Sequence, residues 1–400
     1  MSRHPCLSSF LLLAAPFVCS AADTVAVLPL FGAKDPATTS LGWIGESVAE
    51  TIHESLGSAG LMVLAREDRE EVYRRLEVHE GSILTKATVI KIGVTLDAGA
   101  VIFGEFEVAS DRTGAAPTLK SSLKLRVHVI DLRKLHENPV IEESGPLEQL
   151  SGLEMKVSFM LLKQFAPDTA GSEEEFLRAH PAVKVEAMES YVRGLMASSQ
   201  EQRIKLFAQA ARLDDHFSPP DFQLGKLYFQ RKEYKTAEVW LRKVSKTDLH
   251  YLEASFLMGI CRYYDGDFEN AIGQFRMVAA ELPLNEVYND LGAALSRSND
   301  PSAADDFRKA LDGDQADPDY WFNLGFALWK RGDFTQAATQ FRGVLERSRD
   351  DQDATYFLGR SLRGEGPRAG EARSEGRERI KTTFEDSAFR QLQAELKSKK

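Results

Sequence analysis

The chain has 400 residues, 43% of them hydrophobic, with a formal net charge of -10 and a pI near 5.5. That length allows two or three domains with cores of their own. An acidic chain of this kind lacks the basic face of a nucleic-acid binder, which argues against that class.

Met1-Ser2-Arg3-His4-Pro5 is a short, weakly basic start, Leu7 to Val18 is apolar, and Ser20-Ala21-Ala22 offers small residues before Asp23. This is the layout of a cleaved secretory signal peptide over residues 1–22. The run is shorter than the about 20 apolar residues that cross a bilayer. Cys19 follows Phe17 and Val18 rather than a small residue, so a lipid anchor there is not expected. The mature chain then keeps only Cys261, which rules out an internal disulfide and reads most simply as a small core residue. A periplasmic location is the expectation.

Thr24 to Phe31 is a continuous apolar run and suits a buried strand. From Gly42 the period changes: Ile44, Val48, Ile52 and Leu56 recur every four residues, as on an amphipathic helix. Leu61 to Arg66 reads as a second strand. Helices follow over Glu70 to Leu76, with Asp68 as a cap, and over Ala87 to Leu96. Ala100 to Val108 is a third strand, and Ser110 to Pro117 a turn-rich loop. Leu123 to Leu132 alternates at period two, as an antiparallel partner would. A last helix spans about Leu147 to Phe165. The predicted fold class over residues 23–168 is therefore α/β, a mixed sheet flanked by helices.

These residues resemble the TolB amino-terminal-like domain, and more distantly curli-secretion and flagellar outer-membrane assembly proteins. The resemblance rests on Val25-Ala26-Val27-Leu28-Pro29-Leu30, on Gly45-Glu46-Ser47-Val48-Ala49-Glu50, on Met62 to Arg66, on Ile92 to Glu105, and on Val129-Ile130-Asp131. It implies an exported, non-enzymatic domain working in envelope assemblies.

In an open α/β sheet a ligand would sit beyond the carboxyl ends of the parallel strands. That brings Lys34 and Asp35 near Arg66 and Asp68, as a polar pocket or simply a solvated rim with ion pairs. No nucleotide-binding glycine loop, Gly-x-Ser-x-Gly elbow or metal-type His/Cys spacing occurs, and no acid/base pair stands out. No catalytic residue, cofactor or metal is therefore expected. Residues 169–186, small and polar before Pro181, read as a linker.

Gly194, Gly225, Gly259, Gly292, Gly325 and Gly359 then recur; subtracting neighbours gives 31, 34, 33, 33 and 34 residues. Alanines follow at 237, 271, 303 and 337, and bulky residues four later at Leu241, Phe275, Phe307 and Phe341. Such spacing predicts helical hairpins whose helices cross at the glycine and alanine and which stack because one pair cannot bury its own apolar face. The run Asp317 to Gly325, closed by Arg331-Gly332-Asp333-Phe334 and Ala337, resembles the tetratricopeptide-repeat consensus. The resemblance covers residues 187–363 and implies an all-α superhelix that binds proteins or peptides.

In that superhelix the first helix of each pair lines the concave side. Inward positions fall three before, one after and four after each glycine: Phe222, Lys226 and Phe229; Phe256, Ile260 and Tyr263; Asn289, Ala293 and Ser296; Phe322, Phe326 and Trp329; Tyr356, Arg360 and Arg363. Aromatics stand where chaperone-adaptor repeats hold a carboxylate clamp, so that role is not carried over. Several of these aromatics fit the core between helices equally well.

Residues 364–400 form a basic tail. Ala372 to Arg379 reads as a charged helix, and Phe389, Leu392 and Leu396 mark an apolar stripe on another. That stripe would either cap the end face of the array or lie in the groove, and the short path favours the cap. The function expected is an exported scaffold or adaptor that binds other proteins in a cell-envelope assembly; the alternative is a small-ligand receptor or enzyme using a strand-end pocket.

Overall fold

The computed structural model describes residues 24–32, 40–79, 81–109, 117–167, 170–368 and 370–398. The expected signal segment, Cys19, Lys34, Asp35 and most of the 110–117 loop lie outside the described residues.

The expected mixed sheet is present. β1 (Thr24–Val27) pairs parallel with β3 (Met62–Val63) and β4 (Ala100–Ala109), and the short β2 (Phe31–Gly32) also runs parallel to β4. β4 pairs antiparallel with β5 (Ser122–Asp131) over its whole length, from Ala100 opposite Asp131 to Ala109 opposite Ser122. Two further antiparallel partners of β5 escape the sequence reading: β6 (His136–Glu137) and β7 (Ile141–Pro146).

Alternation along β4 feeds two cores. Ile102, Phe106 and Val108 point to one face with Val25, Val27 and the odd-numbered residues of β5 from Leu123 to Val129. There α1 (Trp43–Ser58) and α4 (Leu150–Phe165) cover them, with Ile44, Val48, Ile52, Leu150 and Val157 fully buried. Val101 and Phe103 point to the other face, beneath α2 (Arg66–Arg75) and α3 (Lys86–Thr95). α5 (Glu173–Ala179) falls in the expected linker, capped by Ser172, whose hydroxyl accepts from the Glu175 amide.

The hairpins follow: α6 (Val185–Met196) with α7 (Gln200–Leu213), α8 (Pro219–Gln230) with α9 (Tyr234–Leu241), α10 (Tyr251–Tyr264) with α11 (Phe268–Glu281), α12 (Asn285–Arg297) with α13 (Ala303–Gly313), and α14 (Pro318–Arg331) with α15 (Phe334–Arg347). α16 (Gln352–Leu362) has no second helix behind it, and the last helix is α17 (Asp386–Ser398). The repeat glycines sit on the first helix of each pair, facing the bulky residue of the second. A side-chain carbon at Gly259 would lie 2.7 Å from the Phe275 ring, and one at Gly292 2.8 Å from Phe307. Seven residues after each of four glycines the chain turns through the left-handed region, at Lys232, Gly266, Asn299 and Gly332. The core on the α1 side of the sheet continues without a break into Met188, Tyr191, Phe207 and Leu224 of the first hairpins, so the two halves share apolar packing.

Candidate functional site

The concave face is lined by the first helices, and the chain's own tail lies along it. Gly364, at φ 68°, ends α16, and the segment after it runs back across α14, α12 and α10. Trp329 Nε1 donates to the carbonyl of Glu365 at 2.8 Å. Arg360, only 2% exposed, donates to the Gly366 carbonyl and, at 2.6 Å, to Glu371 Oε2. Tyr356 donates to Glu371 Oε1 at 2.8 Å, and Arg373 stacks over the Tyr356 ring.

The centre of the groove is built to hold main chain. Asn323, fully buried, accepts from the amide of Arg379 at 2.8 Å and donates to its carbonyl at 2.9 Å. Asn289, also fully buried, donates to the same carbonyl at 2.8 Å, and its own side-chain oxygen accepts from Asn323. Asp290 accepts from the Lys381 amide at 2.9 Å and Glu286 from the Glu385 amide at 2.7 Å. These contacts satisfy an extended segment that forms no helix or sheet of its own.

Charge complements that grip. The Arg379 guanidinium reaches Asp319 at 3.1 Å and Asp351 at 2.7 Å, and lies 3.7 Å from the centre of the Phe322 ring. Lys381 Nζ pairs with Asp317 at 2.6 Å and Asp319 at 2.7 Å. Burial alone would raise the Asp319 carboxyl, yet Lys381 and Arg379 hold it below its ordinary value. Asp290 is pushed well up, because its burial outweighs the hydrogen bonds from the Lys381 amide and Asn289 and the Lys381 charge. Glu378, on the opposite side of the segment, accepts from Ser296 Oγ at 2.6 Å near Lys330. Phe384 packs against Phe256 with ring centroids 4.4 Å apart and tilted by 33°.

Two expectations about the tail are corrected. Residues 372–379 are not a helix: only Ala372–Ser374 turns, as a short 3-10 element, because Gly370 and Gly376 adopt left-handed backbone and the groove supplies the hydrogen bonds a helix would make. α17 does not cap the end face. It packs at the other end, where Arg390 pairs with Asp68 at 2.6 Å and Gln393 donates to the Leu249 carbonyl at 2.8 Å.

Of the sequence-derived groove residues, Phe256, Asn289, Ser296, Phe322, Trp329, Tyr356 and Arg360 meet the tail. Ile260, Ala293 and Phe326 are fully buried in the helix core, and Tyr263 nearly so. Phe222, Lys226 and Phe229 engage neighbours within the array: Phe222 stacks on His250 at 4.3 Å, Lys226 pairs with Glu253 at 3.2 Å, and Phe229 meets Tyr234. Arg363 is exposed and pairs with Glu365 outside the groove. Asn323, Asp290 and an acidic column fall outside the positions singled out from the sequence. Glu253, Glu286, Asp319 and Asp353 each stand six residues before a repeat glycine, a signal that was available.

At the strand ends, Arg66 and Asp68 are engaged. Glu46 Oε1 accepts from Arg66 Nε at 2.6 Å and is paired with the buried Arg69, while Arg66 also donates to the Leu195 carbonyl. A cavity of about 600 Å³ lies elsewhere, between α1 and the start of the repeats, bordered by Glu50, Glu54, Tyr191 and Asp248.

A family profile described as "Tetratricopeptide repeat" matches residues 322–381. The match takes in α15, α16 and most of α14, and the earlier hairpins have the same two-helix form. No curated protein matches the sequence. Similar solved structures include MamA from Desulfovibrio magneticus RS-1, 24% identical over 43% of this chain and 99% of that one, with a TM-score of 0.39. YrrB, described as a TPR protein with an unusual peptide-binding site, is 21% identical over 39% of this chain and 82% of its own, with a TM-score of 0.36. PilF from Pseudomonas aeruginosa is 17% identical over 44% and 83%, with a TM-score of 0.38.

Proposed function

We propose that the protein is an exported, non-enzymatic scaffold that holds other proteins in its concave groove as part of a cell-envelope assembly. The carrying observation is the buried pair Asn289 and Asn323, which grips both the amide and the carbonyl of one extended residue. Such a grip recognises chain rather than a particular side chain, as a peptide-binding groove requires. The test is photocrosslinking in the native cell from position 353, at the groove edge. A defined partner should appear whose crosslink is lost when Asn289 and Asn323 are both replaced by Ala. Crosslinks unchanged by that replacement refute the groove. Export is supported by the Leu7–Val18 run and Ser20-Ala21-Ala22. Terminal sequencing of the mature protein should begin near Ala22 or Asp23, and an uncleaved cytoplasmic chain overturns export.

A second reading, a small-ligand receptor, has the cavity behind it. Its border carries Glu50, Glu54 and Asp248 and no Lys or Arg. Burial pushes the Glu50 and Glu54 carboxyls up, and Glu54 Oε1 has no hydrogen-bond partner. A small organic cation suits such a wall. Thermal-shift screening of the full chain against amines, with Glu54→Gln as control, decides it: no amine-specific shift removes this reading.

A further inference from the structure

We infer that residues 377–384 are a resident stand-in for the partner. On this view the groove takes an extended protein segment with basic side chains at alternate positions and an aromatic shortly after, which enters by displacing the tail. This rests on reading the groove as a peptide site.

Three observations carry it. First, the central hydrogen bonds to the tail run to its backbone, at Arg379, Lys381 and Glu385, so another extended segment can make the same ones. Second, Arg377, Arg379 and Lys381 alternate, which places them on one side of an extended chain. On that side lie Asp353, 3.9 Å from Arg377, and Asp351, Asp319 and Asp317. With Glu286 and Asp290 these make six carboxylates along the groove. Emptied, they would face one another uncompensated, and an acidic segment would add to that repulsion; a basic one restores the balance. Third, Ile380 and Phe384 pack against the apolar core, with Phe384 on Phe256 and on Phe389 of α17. The occupant is thus read twice, by charge on one side and by apolar fit on the other.

The tail is tethered, so a partner competes with a high local concentration. For short flexible tethers that is of order millimolar. If the tail sequence itself binds the groove with an intrinsic dissociation constant of about 10–100 μM, the apparent affinity of a competing segment is lowered about 10- to 100-fold.

The experiment uses the full chain and a fluorescein-labelled peptide of residues 375–386, read by anisotropy. The variant Arg379→Glu/Lys381→Glu weakens the resident. It should bind the peptide at least about 10-fold more tightly than the wild type does, and the binding should weaken as salt rises. Lys381→Pro releases the tail by a second route, since it removes the amide held by Asp290, and should act in the same direction. A peptide with its Arg and Lys residues reversed to Glu should not bind. Equal affinity for wild type and both variants overturns displacement. If the variants bind the native and charge-reversed peptides alike, the groove reading stands and the basic class falls. If natively folded variants bind neither, the groove reading itself falls and this inference with it.

Discussion

Replacing a repeat glycine by alanine should change the sign of its effect along the array. An alanine gains about 1 kcal/mol over glycine in a helix interior, and overpacking a tight crossing costs roughly 1–3 kcal/mol. At Gly259 the new carbon would stand 2.7 Å from Phe275, and at Gly292 2.8 Å from Phe307. Both rings are fully buried and have nowhere to go, so the overpacking term wins. At Gly325 the nearest atoms, on Gln340 and Phe341, are 3.1 Å away, and a shift of a few tenths of an ångström relieves most of the strain. At Gly359 the nearest atom is Arg363 Nη1 at 3.4 Å, the far end of a flexible side chain, because α16 has no second helix. Gly259→Ala and Gly292→Ala should therefore destabilise by up to about 2 kcal/mol, Gly325→Ala should sit near zero, and Gly359→Ala should stabilise by about 1 kcal/mol. Urea unfolding followed by tryptophan fluorescence reads the order. A Gly359→Ala protein no more stable than wild type, or a Gly259→Ala protein that gains, refutes the assignment of the crossing.

Three further outcomes follow from single residues. Lys232 adopts the left-handed backbone, φ 60°, at a turn where the equivalent positions hold Gly266 and Gly332; Lys232→Gly should raise stability by about 1 kcal/mol, and an unchanged urea midpoint counts against strain there. Glu46→Ala leaves the buried Arg69 without its anion and should cost about 3–5 kcal/mol, so a loss under about 1 kcal/mol would show that the pair is dispensable. Burial raises the Glu154 carboxyl from its ordinary 4.5 to about 8, so between those values the folded state keeps a proton that the unfolded chain releases. Stability should fall as pH rises through that window, by up to about 1.4 kcal/mol per pH unit. Glu154→Gln, which stays neutral, should flatten that part of the profile; an unchanged slope assigns it elsewhere.

The helical half is legible because each of its signals repeats. In α14 they coincide: Asp317 caps it, Pro318 starts it, Lys330 and Arg331 lie in its last turn, and Gly332 ends it at φ 88°. In the α/β half, β4 and β5 announce themselves by alternation, whereas β7 does not. Ile141-Glu142-Glu143-Ser144-Gly145-Pro146 carries one large apolar residue, and β7 holds its place by pairing with β5 rather than by burying a face. The groove was half legible. Positions three before, one after and four after the glycine select mostly helix-packing aromatics and, of the chain-gripping side chains, only Asn289; Asn323 and Asp290 stand two before it and Glu286 six before it. Acidic residues in a first helical turn have an ordinary explanation in the helix dipole, which hides their second use. The tail misled for a different reason. Its Arg/Glu composition favours a helix locally, and only the groove, distant in sequence, supplies partners for an extended backbone.

The array ends on half a repeat, and that explains why its groove is filled. Each earlier first helix has its glycine pressed by a bulky residue from its own second helix; Gly359 meets only Arg363. The stretch that would form the missing helix is spent instead on covering the last turn. Arg360, Tyr356 and Trp329 tie down Glu365, Gly366 and Glu371 before the chain enters the groove. The far end of the same segment reaches the other domain through Arg390 on Asp68, while Gln393 donates to the Leu249 carbonyl between α9 and α10. One strap therefore closes the open end of the array, fills its centre and clasps the α/β domain. A segment that takes the centre removes the extended stretch joining the other two contacts. The half-buried apolar stripe of Phe389, Leu392 and Leu396 would then depend on the contacts of α17 alone to stay covered, each worth less than the roughly 1.5–3 kcal/mol of a fully buried side chain. Were a partner to displace the tail as proposed, occupancy of the groove and the attachment of α17 to the first domain would be coupled through this single stretch of chain.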